Sequence, residues 1–391
     1  MSVDTPVTAA WDVVWNAVRK QEVPGAVALV QWRGKVVLHE EAGWAAMESE
    51  RRPMDTDTIF DLASLTKPLV TAPLVLQLAD RGAISLDEHA CRYLPAMARF
   101  AGGQVTVRQL LTHTSGLPAW SPLYVWAQTS ADALRTIAEM DGAYAPGSRV
   151  VYSCLGYIIL GLLLEEVTGQ SLAELARCSL VEPLDLRDTG YGQNIDATRC
   201  AWTECGNRYE QASVATAGLS FHGWREEYIP GTVHDGNAWY AMGGISGNAG
   251  LFGTARDVGV LGQMWLDRGK VAGMRVLSEG AVTAATADCT PGLNEARGLG
   301  WQVNRPVHVD GATDTVEPGS AGTQLSERAF GHTGFTGTSL WIDPDLNLVA
   351  ELLTNRVHPT VGDAATIRNL RSSFHDALVT SLRGSALDTL S

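Results

Sequence analysis

Ser64 and Lys67 stand three residues apart in Phe60-Asp61-Leu62-Ala63-Ser64-Leu65-Thr66-Lys67-Pro68, and a hydroxyl one helical turn from an amine is a nucleophile beside a base. The choice of Lys is itself informative. Of 29 cationic side chains only Lys20, Lys35, Lys67 and Lys270 are Lys; the rest are Arg. A guanidinium keeps its proton at neutral pH, whereas a desolvated Lys can give one up. Downstream, Tyr152 follows the turn Ala145-Pro146-Gly147 and precedes a helical run. Its phenol is a candidate proton relay if an ammonium group such as Lys67 lies close enough to pull its pKa down. Nearer the C-terminus, Gly331-His332-Thr333-Gly334-Phe335-Thr336-Gly337 opens a strand with small residues against which a ligand can lie. The N–H groups of Phe335 and Ser64 are then the two donors of an oxyanion hole.

Several elements must hold these residues. An amphipathic helix is expected from Ala9 to Arg19, with Trp11, Val14, Trp15 and Val18 on one stripe, followed by a hairpin from Gly25 to Trp44 that turns at Arg33-Gly34. A helix opening at Ser64 should run to about Asp80, stop at Arg81-Gly82 and kink at Pro73. Helical spacing then dominates Val105 to Leu111, Ala131 to Met140, Leu155 to Val167 and Leu172 to Leu180. Residues 190–240 lack a period and read as a long excursion over one face. Helical pattern returns at Ala255 to Asp267, strands at about 298–303, 331–343 and 346–354, and a last helix spans about Thr366 to Arg383. Strands at both ends and helices between them predict an α+β, two-lobe chain. Residues 1–83 and 237–391 form a lobe with an antiparallel sheet flanked by helices. Residues 84–236 form an inserted, mostly helical lobe, with 190–236 as its long loop. Chemistry belongs in the cleft between lobes.

Composition narrows the function classes. A length of 391 residues with 45% hydrophobic content supports an ordinary folded core, and a formal charge of −14 argues against nucleic acid or anionic lipid as partners. The six cysteines are scattered, with no Cys-x-x-Cys pair and no His at zinc spacing, so neither a metal nor an organic cofactor is expected. Met1-Ser2-Val3-Asp4-Thr5 carries no basic or apolar leader, so the expected location is the cytoplasm, with no membrane span. Nothing in the sequence sets an oligomeric state.

Taken in order, Ser-x-x-Lys, Tyr152-Ser153 and His332-Thr333-Gly334 resemble the three motifs of the serine β-lactamase and penicillin-binding protein superfamily. Leu110-Leu111-Thr112-His113-Thr114-Ser115-Gly116-Leu117 and Gly250-Leu251-Phe252-Gly253-Thr254-Ala255 resemble further landmarks. The chain is most similar in pattern to class C β-lactamases and family VIII carboxylesterases, and the resemblance covers nearly all of it. It implies a β-lactamase-like fold and an acyl-Ser64 intermediate. Lys67 and Tyr152 would shuttle the proton, the N–H groups of Ser64 and Phe335 would hold the oxyanion, and His332, Thr333, Gly334 and Cys154 would contact substrate. Two positions depart from the β-lactamase pattern: His332 replaces the usual Lys of the third motif, and Cys154 stands where an Asn usually binds the substrate amide. Both weaken recognition of a charged β-lactam, so the expected activity is a carboxylesterase on small acyl or aryl esters with weak β-lactam hydrolysis. A D-amino-acid amidase or peptidase, or a β-lactamase, is the alternative, and a non-catalytic binding or self-assembling scaffold is the alternative of another class. His113 is expected to brace the helical lobe, and His234-Asp235 to line the cleft or cap a loop. Trp120, Tyr124, Trp126, Trp224, Trp239 and Tyr240 are expected to border the cleft.

Overall fold

The computed structural model describes residues 7–47, 51–305 and 319–388. Strands β1 (Gly25–Trp32) and β2 (Lys35–Ala46) form the expected hairpin, and positive φ at both Arg33 and Gly34 gives the tight turn that suits strand twist. With β3 (Arg52–Pro53) they build half of a seven-stranded antiparallel sheet. The other half comes from the far end of the chain: β4 (Gln302–Val303), β5 (Phe330–Thr333), β6 (Ser339–Asp343) and β7 (Leu348–Thr354), in the order β3-β2-β1-β7-β6-β5-β4. The seam is β1 on β7, with Ala28 opposite Leu352 and Val30 opposite Ala350.

Helices cover both faces, so alternate residues of the central strands enter two different cores. Ala26, Ala28 and Val30 of β1 pack with helices α1 (Thr8–Arg19) and α6 (Ala364–Asp388), while Val27 and Leu29 join the larger core beneath α5 (Ala255–Leu266). Helix α1 is rotated relative to the expected stripe. Ala10, Val14 and Ala17 are buried and Trp15 is 45% exposed, because the small residues allow close approach to α6.

The inserted part is mostly helical and centres on α3 (Cys154–Thr168), whose middle is buried on every side. Its start is fixed by Ser153, whose hydroxyl accepts the Gly156 N–H and donates to the Pro118 carbonyl. The long excursion is less irregular than its sequence suggests. It contains α4 (Arg208–Thr216), which had no readable period because its two buried residues, Glu210 and Val214, include a carboxylate. Among the described residues no helix is long and apolar enough to cross a membrane.

The segment around Pro73 also differs from expectation. Instead of one kinked helix, a 3₁₀ turn (Ala63–Leu65) is followed by a wide π turn (Lys67–Thr71) and then α2 (Ala72–Asp80). Pro73 thus falls in the first turn of α2, where an absent N–H costs nothing.

Candidate active site

Ser64 sits on a strained turn. Ala63 has φ of 47°, a conformation that costs a non-glycine residue about 1–3 kcal/mol. Asp61 holds it there: one carboxylate oxygen accepts the Ala63 N–H at 2.8 Å and the other accepts the His234 N–H at 2.7 Å. Burial raises the Asp61 pKa, and these two donors oppose the rise. From the opposite side, Thr336 donates to the Asp61 carbonyl (2.7 Å) and Thr338 to the Leu62 carbonyl (3.0 Å), locking the turn to the β5–β6 connection.

That lock leaves no room at Gly334. A β-carbon there would lie 2.6 Å from the Leu62 carbonyl and collide with the Thr338 hydroxyl. We expect Gly334→Ala to lower the free energy of unfolding by about 1–3 kcal/mol through overpacking, read by denaturant titration.

Lys67, fully buried, aims its amine at the site. Nζ donates to Ser64 Oγ at 2.8 Å and to the Asn248 carbonyl at 2.9 Å, and it lies 3.7 Å from Cys154 Sγ and 5.1 Å from the centroid of the Tyr152 ring. Burial drives the ammonium toward neutrality, whereas Cys154, Tyr152 and Asp235, when anionic, together hold it above its ordinary value. Burial also raises the Cys154 thiol and the Tyr152 phenol, which Lys67 pulls back down. Lys67 thus hydrogen-bonds Ser64 directly, while the amine and the Tyr152 phenol push each other's pKa in opposite directions.

His113 fixes the Tyr152 segment. Its Nδ1 accepts the Ser153 N–H at 3.0 Å, its carbonyl accepts the Val151 N–H at 2.9 Å, and its ring lies 4.6 Å from that of Tyr152. Burial, then Arg297, Lys67 and His332, keep His113 well below its usual pKa, so the ring is neutral.

The third motif lies alongside. His332 is buried on β5, 5.7 Å ring to ring from Tyr152, with Nδ1 2.8 Å from the Thr333 carbonyl and Nε2 without a partner among the described residues. Burial, then Lys67 and Arg297, push it well below its usual pKa.

Two arms of one crevice meet at Ser64. One, of about 320 Å³, is bounded by Ala63, Trp120, Tyr152, Cys154 and Phe335. The other, of about 300 Å³, is bounded by Tyr152, His332, Thr333, Gly334, Phe335 and three cations, Arg297, Arg356 and Arg371. The candidate catalytic, oxyanion and substrate-contacting residues thus line the crevice except Lys67, which is buried and bonded to Ser64; of the six aromatic residues expected to border the cleft, only Trp120 lines either arm. His234 and Asp235 also line it, while Trp126 points outward.

Several site residues escaped the sequence reading. Arg297, Arg371, Asn248 and Glu210 belong to no motif, and no local signal separates Arg297 from the other arginines. Arg297 pairs with Glu295, sits 5.4 Å over the Tyr152 ring, and keeps Nε buried and without a partner among the described residues. Arg371 donates to the Gly334 and Thr338 carbonyls at 2.9 and 2.8 Å, also with a free Nε, and burial pushes it down to about 9.

The family model described as Beta-lactamase matches residues 9–373. The chain belongs to the beta-lactamase family. This beta-lactamase-family chain is 31% identical over 362 residues to the N-acetylmuramyl-L-alanine amidase of Bacillus subtilis, a match covering 87% of the chain and 79% of the relative. Its fold is shared with EstCE1, a hydrolase with promiscuous acyltransferase activity (TM-score 0.71, 21% identity, 96% and 98% of the two chains). It is also shared with the octameric penicillin-binding protein homologue from Pyrococcus abyssi (TM-score 0.69, 21% identity, 96% and 77%). Membership of this family makes the chain a serine hydrolase of the β-lactamase and penicillin-binding protein type.

Proposed function

We propose that the chain hydrolyses small amides or peptides that carry a carboxylate on the leaving side, through an acyl-Ser64 intermediate. Lys67, sharing its proton with Tyr152, accepts the Ser64 proton as Oγ attacks the carbonyl carbon. The oxyanion is stabilised by the N–H groups of Ser64 and Phe335. Tyr152 then protonates the departing nitrogen, and a water cleaves the acyl-enzyme by the same route in reverse. No step calls for a metal or an organic cofactor.

The observation that carries the substrate reading is the cationic arm. His332 is neutral, which from sequence argued for an uncharged ester, but Arg297 and Arg371 restore positive charge beside it, each with a buried, unpartnered Nε. A buried donor without a partner costs about 1–3 kcal/mol, which a bidentate carboxylate recovers. The amidase name of the Bacillus relative supports an amide bond.

To test this, an N-acyl dipeptide is compared with its C-terminal carboxamide. We expect kcat/KM to favour the free carboxylate by about tenfold or more, and Arg297→Gln to abolish that preference. Equal turnover of both compounds would argue for the second reading, a carboxylesterase of neutral acyl or aryl esters. That reading is favoured by the predominantly apolar walls of the other arm and by Cys154, a poor partner for a substrate amide.

A further inference from the structure

The arm opposite the arginines has the reverse electrostatics. Its mouth is an aromatic pair, Tyr209 and Phe335, with rings 5.2 Å apart and 50% and 38% exposed; Trp120 and Tyr152 line it further. Two carboxylates, Glu210 on α4 and Asp235, reach this cavity, and among the described residues that line it none is Lys or Arg.

Both carboxylates are held by neutral donors. Glu210 accepts the Tyr124 hydroxyl and the Gly236 N–H, each at 2.8 Å, and Asp235 accepts the Ala238 N–H at 2.8 Å and the Asn248 side-chain N–H at 3.1 Å. Neither forms a salt bridge within the described residues. Burial and the neighbouring charge of Asp235 push Glu210 up to about 7, against the opposing pull of the Gly236 N–H and of His234, which also lines this arm. An ammonium group among these rings and carboxylates supplies a counter-charge and gains cation–π attraction from the aromatic faces.

We propose that this arm binds an ammonium group on the acyl side of the substrate, with Glu210 and Asp235 as its counter-ions and Tyr209, Phe335 and Trp120 as its walls. The inference rests on the hydrolase reading above and deepens it. A peptide held with its carbonyl at Ser64 directs its amine end one way and its carboxylate end the other. An acidic arm and an arginine arm on either side of Ser64 therefore read a small zwitterionic peptide with an unblocked amine.

Binding is measured by calorimetry on Ser64→Ala protein, which keeps both arms but cannot turn over. The ligands are alanyl-alanine of either chirality and the corresponding N-acetyl dipeptides. We expect the free amine to bind about tenfold or more tightly, the range of a hydrogen bond to a charged group. Glu210→Gln in the same background should lower the affinity of the free amine more than that of the N-acetyl compound and so erase the difference. Equal or tighter binding of the N-acetyl compound, loss of both affinities alike in Glu210→Gln, or binding of neither dipeptide overturns the proposal. Covalent labelling of wild-type Ser64 by a fluorophosphonate is read separately. A labelled serine with no amine preference sinks only this inference, and a folded protein whose Ser64 never labels sinks the hydrolase reading.

Discussion

Lys67→Arg is expected to lower kcat by about 10²–10⁴-fold, the range supplied by a positioned general base, while the protein stays folded. The substitution keeps the positive charge next to Ser64 and removes the ability to become neutral. It therefore separates a base from a counter-ion. Lys67 Nζ bonds both Ser64 Oγ and the Asn248 carbonyl, and a longer, planar guanidinium cannot reproduce that pair of contacts from the same buried stem. The rate at which a fluorophosphonate labels Ser64 should fall in step with kcat, since both need the deprotonated hydroxyl. Ser64→Ala sets the floor for both measurements. Near-wild-type labelling in Lys67→Arg would show that another group, with Tyr152 the first candidate, takes the proton alone.

A second large effect is expected far from the crevice. Glu351 lies in β7 on the face covered by α5, fully buried, with both carboxylate oxygens lacking a partner among the described residues. Burial, with a smaller push from Asp257, holds its pKa well above the ordinary value, so the folded protein keeps this group protonated to a higher pH than the unfolded chain does. Below about pH 4.3 the folded and unfolded chains both carry the proton and Glu351 adds no pH dependence. As pH rises further the unfolded chain ionises first, and stability is lost until the folded group titrates in turn. Glu351→Gln cannot ionise and preserves the shape. Its stability relative to wild type should therefore grow with pH, by up to about 1.4 kcal/mol per pH unit, from the unfolded glutamate value of about 4.3 up to the pH at which the folded group titrates. Urea denaturation at several pH values measures this, and a difference that stays flat with pH would mean that Glu351 is ionised in the fold.

Much of this architecture was legible because it follows from local rules. The hairpin around Arg33-Gly34 has the positive-φ turn that antiparallel strands prefer, α5 has a clean apolar period, and Thr254 caps it by accepting the Asp257 N–H. The two-lobe order followed from strands at both ends with helices between. By contrast, α4 was invisible because its inward side is a carboxylate, and the π turn before α2 was read as a kink because a wide turn has no signature beyond its flanking prolines.

The same division holds for the site. The chemical types of the candidate reacting groups are legible in sequence: a hydroxyl three residues from a rare lysine is placed by one turn of backbone, and a tyrosine before a helix and a His-Thr-Gly strand are recognisable as motifs. The charge of the substrate's surroundings is not. Arg297, Arg371, Glu210 and Asp235 come from segments up to 161 residues apart (Glu210 to Arg371), and they act on one crevice only because the sheet and the inserted helices bring them to its two ends. Coulomb forces depend on separation in space and on burial, neither of which neighbouring residues in a chain encode. The sequence by itself therefore determined which side chains are the candidates for making and breaking an acyl bond, and only the tertiary structure decided which charged groups surround Ser64.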